Sequence, residues 1–259
     1  MPLPRDSSEL ETALARLRLQ RLEQLGLVHL TVAKSLRSIL RGRQLIPSHC
    51  EKFGTRLLYF SYGLPYYRPK YHQTEEVLEF PVALAFGANS LSKMARFYPY
   101  DTGGAADGVF GPIWKTFLSK FDQLYVTTNP ERLVSCFYGS NSSYLRGRVR
   151  PYSARGSKPV DAIHRFLAQD MSLMGADQRQ RTIECIADEP FQLLDALDWV
   201  AYPATATTDI GLIWKACNQK FRSRRYIPDV NDNPASLVSW IRNMAREDLK
   251  HLWESPNAS

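Results

Sequence analysis

The chain has 259 residues, 44% hydrophobic and 23% charged, ordinary globular values that allow a full buried core. No apolar run approaches the roughly 20 residues needed to span a bilayer, and four cysteines without close paired spacing argue against a zinc site or a disulfide framework. The net charge of +7 favours a polyanionic neighbour, although basic balance alone is a weak guide to nucleic-acid binding.

A reducing cytoplasm is the simplest setting for this cysteine usage, and one domain of mixed strands and helices is the expected organisation. Residues 1–26 read as a charged amphipathic helix rather than a signal sequence. Ser8 and Glu11 suggest a capping box, and Leu10, Leu14, Leu17, Leu22 and Leu25 recur until Gly26. The main body then spans 27–259. Val28-His29-Leu30-Thr31 alternates apolar and polar, which predicts a half-buried strand. Lys34 to Leu40 places Leu36, Ile39 and Leu40 on one helical face, with Gly42 at the expected stop. Leu57 to Phe60 predicts a buried strand that opens onto Ser61-Tyr62-Gly63-Leu64-Pro65-Tyr66-Tyr67-Arg68. Aromatics and a cation at a strand end supply the flat walls and fixed polar groups of a small-molecule pocket. Pro81 to Phe86 is short and wholly apolar, a buried strand, and Arg96 to Gly104 reads as an aromatic, glycine-rich loop that either covers a ligand or merely connects.

Pro112 to Phe121 and Pro130 to Phe137 predict two helices with proline in the first turn, the second capped by Asn129. The stretch 139–158 holds Arg146, Arg148, Arg150, Arg155 and Lys158 with Tyr144 and Tyr152 between them, and no hydrophobic period. It reads as a basic loop, either a solvated insertion or a surface whose guanidinium groups meet phosphates and whose rings stack on bases. A helix over Pro159–Met171 follows, then Glu184 inside Ile-Glu-Cys-Ile, where a carboxylate belongs only if it faces a pocket or solvent. Trp199 to Pro203 predicts a short strand. A Trp214-containing helix and a second basic cluster, Lys220, Arg222, Arg224 and Arg225, precede a last helix from Asn233-Pro234 with a stripe of Leu237, Trp240, Ile241 and Met244.

A His-x-Thr strand, a Leu-x-x-Ile-Leu helix with a short turn, a second strand ending in aromatics and a late strand bearing a glutamate resemble ADP-ribosyltransferase-fold proteins, in the pattern of DarT-type bacterial toxins. The resemblance implies an α+β fold with a split central β-sheet flanked by helices. It implies a glycosyl transfer from NAD, used as a substrate, to a nucleic-acid or protein acceptor, in a toxin or defence effector with a neutralising partner protein. By resemblance, Glu184 steadies the ribose in the transition state, and His29 and Thr31 hydrogen-bond the dinucleotide. Tyr62 packs on the nicotinamide, with Tyr66 and Tyr67 as alternatives, and Arg68 or Arg56 meets the diphosphate. Arg146, Arg148, Arg150 and Arg155 would choose the acceptor. The arginine that follows this strand in DarT-type toxins has no unambiguous counterpart here.

Other chemistries have less support. The five histidines lack metal-ligand spacing such as H-E-x-x-H, and no Walker or dinucleotide glycine loop occurs. Cys136 or Cys185 as a nucleophile has no local signature. Two alternatives to NAD-dependent transfer stay open: a non-enzymatic nucleic-acid-binding protein using the basic clusters, and an RNA 2′-phosphotransferase-like enzyme on the related fold.

Overall fold

The computed structural model describes residues 7–66, 80–110, 123–169, 178–193, 197–206, 211, 221–228 and 234–252. The helix expected over Pro112–Phe121, the Trp214 helix, and Tyr67, Arg68 and Lys220 lie outside the described residues.

The architecture follows from one strand with unequal neighbours. Strand β1 (Leu27–Val32) pairs antiparallel with β5 (Pro81–Phe86) along its whole length, from Leu27↔Phe86 to Val32↔Pro81. On its other side it pairs with β4 (Thr55–Tyr62) only at Leu27↔Tyr62 and Val28↔Ser61, after which the two strands part. Beyond β5 lie β9 (Leu197–Pro203) and, parallel to it, β10 (Arg222–Tyr226). Beyond β4 lie β7 (Glu184–Ala187) and β6 (Arg96–Tyr98), both antiparallel. The result is an α+β fold with a mostly antiparallel sheet split at its centre, β10-β9-β5-β1 on one side and β4-β7-β6 on the other. Strand β3 (Ser48–Cys50) extends the start of β4, and β2 (Gln44–Leu45) pairs with β8 (Phe191–Gln192).

Helices cover this sheet. Helix α2 (Ala33–Gly42) leaves β1 directly, buries Leu36 and ends at Arg43 in the left-handed region (φ 54°), one residue beyond the glycine expected to stop it. Helix α7 (Pro234–Asp248) packs on β5 and buries Leu237, Val238, Ile241 and Ala245. Trp240, expected in that stripe, is instead 39% exposed and stacks 5.1 Å from Tyr226. All six residues of Pro81–Phe86 are buried, as a strand covered on both faces requires. Phe60, Phe86 and Phe191 form an aromatic cluster with centroids 4.8–6.0 Å apart.

Four local expectations are corrected. The N-terminal helix is only α1 (Glu9–Ala15); Ser8 caps it by accepting from the Glu11 N–H at 3.1 Å, but the Glu11 carboxylate goes to Thr127 instead of closing the box. Beyond it, Leu17 and Leu19 turn inward and Arg18 and Gln20 outward, a period of two that belongs to extended chain. Arg96–Gly104 is not a loop: it contributes β6 and the start of α3 (Thr102–Ala106), capped by Asp101. Helix α4 (Glu131–Phe137) is preceded by Pro130 at its cap, while Asn129 takes φ 53°.

The basic stretch 139–158 contains α5 (Asn141–Leu145), begun by a Ser140 side chain that accepts from Ser143 N at 3.1 Å. Its Tyr144 is fully buried and braces the closed end of the split. The Tyr144 hydroxyl donates to Tyr62 O (2.9 Å) and accepts from Ile183 N (3.2 Å), while Tyr62 N donates to Ile183 O (2.9 Å) and Gly63 N to Gly26 O (2.8 Å). After the stretch, α6 (Lys158–Ala168) buries Ile163, Phe166 and Leu167; the end expected at Met171 lies outside the described residues.

Candidate active site

Where β1 and β4 part, the sheet encloses a pocket of about 340 Å³. Strand β1 lines it with Val28, His29 and Leu30, and β4 with Tyr59, Phe60 and Ser61. Its far wall is Thr182 and Glu184 on one side and Asp101, Thr102 and Gly103 on the other, with Cys50 and Lys52 from the β3 hairpin. His29 and Glu184, far apart in the chain, therefore share one cavity.

His29 fills the gap left by the broken ladder. Its Nδ1 lies 2.8 Å from the Tyr59 carbonyl, and its ring tilts against Phe60 at 5.4 Å. A carbonyl only accepts, so Nδ1 carries the proton and Nε2 keeps its lone pair. Burial lowers the imidazole pKa and outweighs the bond to Tyr59, so the ring is neutral at pH 7. The pocket thus contains an uncharged hydrogen-bond acceptor in a fixed tautomer.

Glu184 is 8% exposed. Its Oε2 accepts from Thr102 N at 3.1 Å and from the Thr102 hydroxyl in a short bond. Burial, and secondarily the nearby Asp101 charge, raise its pKa well above the usual carboxylate range, against the two Thr102 bonds that lower it. A carboxyl so placed binds a proton readily and, when ionised, is a strong acceptor. Tyr59 lies between the two residues, and burial raises its phenol pKa; its hydroxyl donates to Cys50 Sγ at 2.8 Å. Lys52 pairs with Asp107 at 2.5 Å on the exposed rim.

The remaining sequence candidates lie elsewhere. Tyr62 does not reach the pocket: it is fully buried, with its hydroxyl accepting from Leu25 N at 2.9 Å and its ring 6.1 Å from Tyr144. Alternation along β4 puts it opposite Tyr59, and Tyr59 supplies the aromatic wall. Tyr66 is buried beneath the Arg242 guanidinium, 3.9 Å from its ring centroid. Thr31 is half-buried two residues beyond His29, outside the lining. Arg56 donates to Pro47 O at 2.9 Å. Arg146 and Arg148 are exposed. Arg150 turns its guanidinium towards Ser135 O (3.4 Å), and Arg155 N donates to Asp161 Oδ1 (2.6 Å); none of the four arginines lines the pocket. Both candidate nucleophiles are buried, and burial pushes the Cys136 thiol up to about 11 and raises that of Cys185 as well, the reverse of activation. Among the described residues no cluster of His, Cys, Asp or Glu could hold a metal ion, and no helix is long and apolar enough to cross a membrane.

Sequence reading missed Asp101, Thr102 and Thr182. A signal existed for the first pair, since aspartate before a small-residue run marks a helix start. Thr182 stands two residues before Glu184, the spacing of one strand face.

The chain is similar to solved structures of a DarT from Thermus sp. 2.9. The complex with NAD+ aligns with a TM-score of 0.44 at 12% identity, covering 80% of this chain and 98% of that one. The complex with ADP-ribosylated ssDNA gives a TM-score of 0.41 at 12% identity over 81% and 97% of the two chains. The complex with carba-NAD+ gives 0.41 at 11% identity over 80% and 97%. No protein-family model matches the chain, and neither does any curated protein sequence.

Proposed function

We propose that the pocket binds NAD and transfers its ADP-ribose unit to a nucleic-acid acceptor. The observation that carries this reading is the convergence of a neutral imidazole acceptor, His29, and a buried carboxylate, Glu184, on one aromatic-walled cavity at the split of the sheet. At about 340 Å³ the cavity is at the small end of ligand pockets. It suits the nicotinamide and its ribose, with the rest of the dinucleotide leaving through the opening past Lys52.

The chemistry asks little of the protein beyond placement and charge. The bond from ribose C1′ to nicotinamide breaks with its electron pair going to the ring nitrogen, which turns the pyridinium into neutral nicotinamide, so no acid is needed. The ribose becomes oxocarbenium-like. Glu184 opposes that positive charge and accepts a hydrogen bond from a ribose hydroxyl. The acceptor then forms its bond to C1′ and gives up a proton, which the raised basicity of Glu184 fits it to take. His29 Nε2 accepts from a second hydroxyl of the dinucleotide, and Tyr59 and Phe60 supply flat walls.

The acceptor class is favoured by charge. Arg146 and Arg148 are exposed, Arg165 lies 4.9 Å over the Tyr152 ring, and the chain carries a net charge of +7. An enzyme that modifies nucleic acid in this way suits a toxin or defence effector, held in check by a neutralising partner. The test is incubation with NAD labelled in the adenylate, together with DNA, RNA and cell protein. Nicotinamide is released, label enters the nucleic-acid fraction, and Glu184→Gln lowers both by about 10²–10³ while the fold survives. NAD left intact by the wild-type protein would overturn the proposal, and label confined to protein would overturn the acceptor.

A further inference from the structure

We infer that Thr102 is a positioning residue for Glu184: by giving both its hydroxyl and its backbone N–H to Oε2, it holds one carboxylate oxygen and leaves Oε1 as the one that meets the substrate. What Oε1 does rests on the ADP-ribosyl transfer proposed above; how the carboxylate is held does not.

The geometry divides the carboxylate in two. Oε2 takes both Thr102 donors, and among the described residues Oε1 takes none. Thr102 is itself 1% exposed and comes from a segment 82 residues away in sequence. That segment is held at Asp101. Asp101 Oδ1 accepts from Gly104 N at 2.5 Å and closes the first turn of α3, while Asp101 N donates to Arg179 O at 3.2 Å, in the turn that leads into β7. The start of α3, which carries the donors, and the turn that leads into the acceptor's strand are therefore tied together. A glutamate side chain has several rotatable bonds, and a free one spreads its charge over positions of no use to a developing cation. Two donors on a single oxygen remove that freedom and fix which lone pairs face the cavity.

The surroundings explain why a donor is needed there. Asp101 beside Thr102, Tyr98 of β6, Tyr59 of β4, Cys50 of β3 and His29 of β1 all surround or face Glu184, and Lys52 on the rim is already paired with Asp107. Burial and the Asp101 charge both work against ionisation; the two Thr102 bonds work for it. Thr102 thus aims the carboxylate and helps keep it charged.

The test compares Thr102→Val, which keeps the shape and the backbone N–H but loses the hydroxyl, with Thr102→Ser, which restores it. Near-UV circular dichroism checks the fold, and Thr102→Ala replaces the valine variant if that one does not fold. With NAD as substrate, Thr102→Val is expected to lower kcat roughly tenfold to a hundredfold with KM changed less than about threefold, and to move the acid limb of the pH profile upward. Thr102→Ser is expected to recover kcat to within about threefold of wild type. In parallel, carbon-13 NMR titration of the Glu184 carboxyl reads an upward midpoint displacement in Thr102→Val that Thr102→Ser reverses, whether or not NAD is consumed. A moved midpoint in a protein that never turns over NAD would sink the transfer reading and leave the positioning role standing. An unmoved midpoint with wild-type kcat in Thr102→Val, or equal losses in the valine and serine variants, overturns the inference.

Discussion

Replacing Glu184 with glutamine should weaken the chemistry and strengthen the fold, two effects of opposite sign from one substitution. The carboxyl is 8% exposed, and burial together with Asp101 raises its pKa well above the ordinary range. The folded chain therefore binds the Glu184 proton more tightly than the unfolded chain does. Stability from this group is complete below the ordinary carboxylate pKa and is lost as pH rises through the raised one. Each tenfold change in acidity between the two states corresponds to about 1.4 kcal/mol. Glutamine keeps the volume and an oxygen that accepts from Thr102, but carries no charge to desolvate. At pH 8 the variant should be more stable by on the order of 1–2 kcal/mol, a Tm gain of about 2–4 °C per kcal/mol for a chain of this size. The gain should shrink to nothing as the pH approaches about 4. Nicotinamide release should fall by about 10²–10³, the usual loss when a group that stabilises developing charge is removed. Thermal unfolding between pH 4 and 8, run beside the release assay, reads both effects. A variant less stable than wild type at pH 8, or a stability gap that ignores pH, would refute the reasoning.

Other parts of the fold offer independent checks. Tyr144→Phe removes the hydroxyl that joins Tyr62 O to Ile183 N; Tyr62 O keeps its bond from Leu64 N, but the buried Ile183 N–H loses its acceptor, and chemical denaturation should show a loss of about 1–3 kcal/mol. Gly63 has φ 73°, and a Cβ there would lie 2.7 Å from Leu25 Cδ1, so Gly63→Ala should cost about 1–3 kcal/mol in the same measurement. His29 has its pKa lowered by burial, so its contribution to stability is complete above the ordinary imidazole value of about 6.5 and lost as pH falls through the lowered one. His29→Gln should flatten the Tm curve between pH 5 and 7; an unchanged slope would show that His29 is not the group titrating.

Local periodicity carried much of the fold. Val28–Thr31, Leu57–Phe60, Pro81–Phe86 and Trp199–Pro203 were readable as strands, and Lys34–Leu40 and the α6 segment as helices, because backbone geometry repeats every two or 3.6 residues whatever lies nearby. Leu17 and Leu19 broke that reading, since the same leucines fit a helix or an extended chain until the surface beneath them is known. His29 and Glu184 stood out in the sequence, and the tertiary structure places both on one pocket. It alone decided that Tyr59 rather than Tyr62 forms the wall, because alternation assigns the two tyrosines to opposite faces but does not say which face opens. It alone buried Tyr144 within a stretch that reads as a polar loop, and turned Trp240 outward from an apolar stripe. Local sequence could mark Asp101–Thr102 as a helix start but not the bond from Thr102 to Glu184, since that partner lies 82 residues away. Sequence by itself determined the strongly periodic strands and helices and which polar residues sit oddly among apolar ones, while β6, α3 and α5, which carry no such period, were settled by tertiary structure. The register decided the site: β1 and β4 pair at only two positions before they part, a non-local outcome that no window of neighbouring residues encodes.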